Sequence, residues 1–161
     1  SDNEKFKLGN IDFEIFFTPG HTSGHVCFYS KSKKIIFTGD TLFSLGCGKV
    51  FEGTHLEMLN SLNFIKKLPM DTQIYCGHEY TQKNLDFCIK YELSNTLEEK
   101  KRWIQSRLNQ KKPTIPVTVR EELNSNIFLR CDNSKVKRSL DMENATELEV
   151  FKKLRDLKDV F

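Results

Sequence analysis

Three apolar runs of strand character stop at a glycine, and each glycine hands the chain to a side chain that can bind a hard metal ion. Phe16-Phe17-Thr18-Pro19-Gly20 leads into His21, Ile35-Ile36-Phe37-Thr38-Gly39 into Asp40, and Gln73-Ile74-Tyr75-Cys76-Gly77 into His78. Glycine lacks a Cβ, so the backbone can turn sharply where a strand ends and leave the next side chain on the rim of the sheet. Two imidazoles and a carboxylate on that rim can converge on zinc or iron. One such step alone is most often an ordinary turn, whereas three in order predict a site. His25 opens the following strand and is expected to hydrogen-bond locally. His55 falls in the first turn of a helix, where solvated surface is expected.

Residues 5–80 read mainly as strands. Ile11, Phe13, Ile15 and Phe17 alternate with Asp12, Glu14 and Phe16, a period of two that predicts a strand with one well-buried face. Val26 to Tyr29 and Lys34 to Thr38 follow, joined by Ser30-Lys31-Ser32-Lys33 as a hairpin connection. One helix interrupts the strands: Thr54 with Glu57 makes a capping box, and Met58, Leu59, Leu62 and Ile65 form its apolar face. From about Thr81 the pattern turns helical. Thr96 with Glu99, Thr118 with Glu121 and Thr146 with Glu149 each predict a helix start, because a threonine hydroxyl can accept a free first-turn amide. Pro113 and Pro116 break the chain between helices. The switch from strands to helices sets the expected domains at residues 1–80 and 81–161, in a mixed α/β (α+β) fold.

Charge and cysteine usage narrow the function classes. The net charge is +3, but residues 1–80 carry 8 basic and 9 acidic groups while residues 81–161 carry 17 and 13. That mild excess suits a small anionic ligand. A nucleic-acid binder would show a dense basic stripe with interleaved aromatics, which this chain lacks, and no apolar run is long enough to span a bilayer. Five cysteines, odd in number and without a C-x-x-C pair, predict free thiols in a reducing compartment, the cytoplasm, and disfavour a thiolate zinc site.

The blocks Thr18-Pro19-Gly20-His21-Thr22-Ser23-Gly24-His25, Phe37-Thr38-Gly39-Asp40-Thr41-Leu42-Phe43, Gly46-Cys47-Gly48-Lys49 and Tyr75-Cys76-Gly77-His78-Glu79-Tyr80-Thr81 carry a family resemblance. The sequence resembles the metallo-β-lactamase superfamily and, within it, glyoxalase II, the hydroxyacylglutathione hydrolases. The resemblance implies the second half of an αββα sandwich followed by an all-helical, glutathione-binding domain. It implies two divalent metals, zinc first and iron as the alternative, with His21 on the first, Asp40 bridging both and His78 on the second. The first-half T-H-x-H-x-D-H motif of that family is missing. Ser1 is therefore expected to fall in the middle of the lactamase-like domain, the metal site to be incomplete in this chain, and the chain alone to be inactive.

For the complete protein the resemblance implies a monomer that hydrolyses S-D-lactoylglutathione to glutathione and a 2-hydroxy acid, the attacking hydroxide being held by the metals. Lys49 and Tyr80 match substrate-binding positions, as do Arg155 and Lys158 on the last helix, where a spacing of three puts both on one face. Phe51 stands where the family has a second tyrosine. Without the resemblance, Arg155 and Lys158 would read as solvated surface charge. Two other readings stand beside this one: a persulfide dioxygenase-like enzyme with a single iron, and a non-catalytic binding module that has lost its metal site.

Overall fold

The computed structural model describes residues 4–161, so Ser1 lies outside the described residues. Among the described residues a six-stranded sheet forms the centre. β1 (Lys5–Leu8), β2 (Ile11–Phe17), β3 (Val26–Ser30) and β4 (Ile35–Gly39) meander antiparallel. Next come a small hairpin of β5 (Leu42–Phe43) and β6 (Gly46–Cys47), then α1 (His55–Lys66), and then β7 (Gln73–Cys76), which joins β4 in parallel. The C-terminal segment holds α2 (Thr81–Tyr91), α3 (Asn95–Asn109), β8 (Val117–Thr118), α4 (Val119–Ser125), a 3-10 turn at Ile127–Leu129, α5 (Ser134–Ser139) and α6 (Glu147–Asp159).

The segment expected to be all-helical thus returns one strand to the sheet. Val117 of β8 pairs with Ile74 of β7, and both are buried. Helix α3 ends at Asn109, the chain turns through Lys111 at φ +54°, and beyond Pro113 and Pro116 the β-branched Val117 adds to the sheet's edge. The strand-rich and helical parts share one apolar cluster, running from Cys27, Ile36 and Ile74 through Met58, Leu62 and Ile65 of α1 to Phe128, Phe151 and Leu154.

Three of the four expected helix starts form as capping residues predict. Thr54, Thr118 and Thr146 each accept from the backbone amide three residues on, and each partner glutamate accepts in return from the cap's own amide. Helix α3 starts earlier than Thr96: Ser94 is its cap, its hydroxyl accepting from the Leu97 amide. Both residues offer a hydroxyl to a following amide, and the extended backbone at Ser94 decides between them.

The sheet's faces also differ from the expected alternation. Phe16, placed by sequence among the polar alternates, packs on Phe64 of α1 with ring centroids 4.4 Å apart. The face carrying Phe6, Phe13, Phe28, Phe37 and Tyr75 is an aromatic ladder, with Phe6 and Phe13 stacked at 5.3 Å and Phe37 and Tyr75 tilted at 5.4 Å. Phe13 is buried by its neighbours, yet Phe17 is 51% and Phe37 41% exposed. Among the described residues the helix α1 covers the opposite face, and burial of a strand face depends on what is layered over it.

Candidate metal centre

Antiparallel pairing of β2 with β3 and of β3 with β4, followed by parallel pairing of β4 with β7, makes β2, β4 and β7 run in one direction. Their C-terminal ends share one edge of the sheet. His21, Asp40 and His78 follow those three ends, so strand direction assembles the site that the glycines only allow. His21 Nε2 lies 3.4 Å and His78 Nε2 3.6 Å from Asp40 Oδ2. Gly77 permits this approach, because a Cβ there would stand 2.6 Å from Asp40 Oδ1.

The orientation of His21 fits a metal ligand. Its Nδ1 lies 2.8 Å from the Lys49 carbonyl oxygen, which can only accept, so Nδ1–H donates. In the neutral ring Nε2 then carries the lone pair and faces the Asp40 carboxylate. Two electron-rich groups so placed call for a cation, a proton or a metal, and a backbone carbonyl behind the ring is the support metal-binding histidines use. Among the described residues no three His, Cys, Asp or Glu side chains are grouped to hold a metal by themselves. Asp40 Oδ2 instead lies within 3.6 Å of both imidazoles. The nearby Cys76 thiol donates to the His78 carbonyl at 3.2 Å, and burial pushes its pKa up.

His25 does more than bond locally. Its Nε2 accepts from the Asp40 amide at 3.1 Å, and Nδ1 meets the hydroxyls of Thr18 and Thr41 at 3.2 and 3.0 Å. Accepting from an amide makes Nε2 the lone-pair nitrogen, so His25 holds the backbone of Asp40 as a neutral ring. Burial, followed by the nearby His21, lowers its pKa. Gly39, at φ +48°, makes room: a Cβ there would sit 2.7 Å from His25 Nε2. His55 likewise departs from the solvated surface expected of it. It is half-buried, 3.8 Å from Asp156 and edge-on to Phe151, because α6 packs across the start of α1.

Aromatic walls flank the centre. On one side Phe51 meets His21 edge-on at 5.1 Å, with Lys49 Nζ 5.6 Å from the Phe51 ring centroid. On the other, Tyr80 stacks on His78 at 5.0 Å and is backed by Phe43 at 5.2 Å. Phe51 is 66% and Tyr80 48% exposed, so both offer faces to a ligand. Arg155 is placed otherwise than surface charge would be. It is 5% exposed, donates to the Cys47 carbonyl at 2.9 Å and to Asp159 at 3.0 and 3.2 Å, and lies over the Phe128 ring. Lys158 is half-buried; its ammonium donates to the Lys83 carbonyl at 3.1 Å and lies over Phe87 and Phe161. Burial lowers its pKa, and the Arg155 charge adds to that.

The sequence model of the metallo-beta-lactamase superfamily matches residues 2–78, and that of the hydroxyacylglutathione hydrolase C-terminus matches residues 79–161. The chain belongs to the hydroxyacylglutathione hydrolase family. A protein of Pelagibacter ubique named hydroxyacylglutathione hydrolase is 52% identical over 161 residues, 99% of this chain and 62% of that protein. One of the same name from Chelativorans sp. is 41% identical over 162 residues, covering 100% of this chain and 64% of that protein. The chain therefore spans somewhat less than two thirds of these relatives.

Among solved structures, ETHE1 from Myxococcus xanthus superposes with a TM-score of 0.59 at 18% identity, over 97% of this chain and 50% of that one. A metallo-beta-lactamase from Staphylococcus aureus gives 0.57 at 19% identity, over 98% and 42%. At such identities the likeness is one of fold. The superfamily implies divalent metals.

In this chain, sequence reading gave His25 only a local bond and gave Glu79 and Glu122 no role. Glu79 accepts from the Thr114 amide and, at 2.7 Å, from the Thr114 hydroxyl, tying the His78–Tyr80 turn to the segment before β8. The glutamates' partners lie 35 and 77 residues away, beyond any local pattern. For His25 the signal was Thr18 and Thr41, two threonines placed to meet one ring.

Proposed function

We propose that the complete protein hydrolyses S-D-lactoylglutathione and similar 2-hydroxyacyl thioesters of glutathione, acting as a monomer in the cytoplasm without nucleic-acid or membrane partners. The observation that carries this reading is the placement of His21 and His78 on either side of Asp40 Oδ2, between two exposed aromatic walls. Water adds across the thioester: its oxygen bonds to the carbonyl carbon, the C–S bond breaks, and a proton from that water passes to the departing thiolate, giving the 2-hydroxy acid and glutathione. His21 and Asp40 would hold a first divalent metal and His78 with the same Asp40 a second; zinc is the first choice and iron the second. Metals so bound would supply a water of lowered pKa and a Lewis acid for the carbonyl.

The chain's own groups orient the substrate. Lys49 offers a cation to a carboxylate of the tripeptide, and Tyr80 a phenol beside the metal site. Phe51 presents a ring without that hydroxyl, a difference of about 1 kcal/mol for one neutral hydrogen bond. Arg155 and Lys158 complete the basic side of this rim. Arg155 holds the Cys47 carbonyl just before Lys49, and its partner Asp159 stands 3.9 Å from the Lys49 ammonium. The test is turnover of S-D-lactoylglutathione by the zinc-loaded full-length protein and by its Asp40→Ala variant. Turnover abolished by the substitution is expected. No turnover by the unaltered protein, or turnover unchanged in the variant, would overturn the assignment.

A further inference from the structure

The Leu42–Cys47 hairpin joins the two halves of the proposed site. One arm begins just past Asp40 and carries Phe43, whose ring backs Tyr80 at 5.2 Å and His78 at 6.2 Å. The other leads to Lys49, whose carbonyl fixes His21. Five successive carbonyl oxygens of this hairpin accept from side chains of the C-terminal segment. Asn126 donates to Phe43 and Gly46, Asn84 to Ser44, the Cys88 thiol to Leu45, and Arg155 to Cys47.

At the turn itself Leu45 is fully buried and held at φ +61°, a left-handed conformation that a branched side chain disfavours. Glu122 supports it from beneath. One carboxylate oxygen accepts from the Leu45 amide at 2.8 Å and from Asn126 at 2.9 Å, and the other from the Ser44 hydroxyl at 3.4 Å. Glu122 and Asn126 are wholly buried, and none of the bonds described for them runs to His21, Asp40 or His78. A buried carboxylate is costly to keep; among the described residues Glu122 has no ion pair, and its hydrogen bonds run to the turn at Ser44 and Leu45 and to Asn126, which itself holds the Phe43 and Gly46 carbonyls.

We infer that Glu122 and Asn126 are positioning residues for His21 and His78, acting through the Leu42–Cys47 hairpin. The inference deepens the metal-centre reading and rests on it. A glutamine can replace the carboxylate here. Its carbonyl oxygen accepts from Leu45 and Asn126, and its amide group donates to the Ser44 hydroxyl. A leucine cannot, and leaves two buried donors without partners.

The experiment uses full-length protein labelled with 15N at histidine and on the backbone, and reads the imidazole nitrogens of His21 and His78 together with amide exchange at Leu45. Glu122→Leu and Asn126→Ala are expected to shift both imidazoles and to speed Leu45 exchange by about ten- to a hundredfold. Glu122→Gln should restore the unaltered spectrum. Val136→Ala, a core truncation on α5 that removes none of the hydrogen bonds to the hairpin, should leave the imidazoles in place while lowering stability.

Unmoved imidazoles in both hairpin variants, or an equal shift in Val136→Ala, would overturn the inference. If Glu122→Leu does not fold, Asn126→Ala and the unaltered protein decide. A Leu45 amide that exchanges as fast as exposed loop amides in the unaltered protein would overturn it as well. None of these readouts depends on thioester turnover, so failure here is distinct from failure of the proposed activity.

Discussion

Replacing Arg155 by alanine should destabilise the protein by about 3 kcal/mol, a value built from three contacts. Arg155 is the donor to the Cys47 carbonyl at 2.9 Å inside the protein, and withdrawing it exposes that carbonyl to a desolvation cost of roughly 1–3 kcal/mol. The guanidinium carbon lies 5.2 Å from the Phe128 ring centroid in a dry setting, adding roughly 1 kcal/mol. The pair with Asp159 is worth less than about 1 kcal/mol, since the carboxylate is partly exposed and screened. For a chain of this size each kcal/mol moves the melting temperature by roughly 2–4 °C, so the midpoint should fall by about 6–12 °C.

Arg155→Lys keeps the charge but lacks the planar fork that reaches Cys47 and Asp159 together, so it should recover less than half of the loss. Thermal and urea unfolding followed by circular dichroism measure both variants. Kinetics add an independent check. Because Arg155 acts on the rim through the backbone before Lys49 and through Asp159, Arg155→Ala and Lys49→Ala should raise KM for the glutathione thioester by less in combination than their separate effects predict. An Arg155→Ala variant within about 0.5 kcal/mol of the unaltered protein would refute the buried-clamp reasoning, because that is the range of an ordinary surface substitution.

Burial pushes the Glu122 carboxyl up to about 7 despite the bonds from Leu45 and Asn126 and the nearby Lys100, with Glu121 opposing ionisation. The folded protein then holds a proton that the unfolded chain releases near 4.5, so stability should fall by roughly 3 kcal/mol as pH rises from about 4.5 to 7 and level off above. Urea titrations across that range should show the slope, and Glu122→Gln should remove it; an identical slope in the variant would sink the assignment. In the full-length protein Asp40→Ala should lose both metals by elemental analysis while His78→Ala loses mainly one, and full metal content in Asp40→Ala would exclude the bridging role. Gly77→Ala puts a methyl 2.6 Å from Asp40 Oδ1 and should lower metal content with little change in the circular dichroism spectrum. Phe51→Tyr restores a hydroxyl on an exposed ring and should lower KM by about fivefold without altering the melting temperature; an unchanged KM would show that the ring position makes no such bond.

Much of this protein was legible in order along the chain. The three glycine-terminated strands, the capping boxes at Thr54, Thr118 and Thr146, and the apolar stripe Met58, Leu59, Leu62 and Ile65 depend on neighbours within four residues, where backbone sterics and side-chain periodicity act. Tertiary structure alone decided what distance in sequence conceals. Strand direction brought His21, Asp40 and His78 to one edge, and His25 reached across 15 residues to the Asp40 amide. Arg155 turned from apparent surface charge into a buried donor 108 residues from its acceptor, and Glu122 took the turn at Leu45 from 77 residues away. The period-two pattern of Ile11 to Phe17 predicted a strand but misjudged its faces, since burial depends on whether a layer covers a face. Periodicity records the local geometry of the chain. Which polar groups are desolvated together is set by packing, and that is where the proposed site acquires its supports.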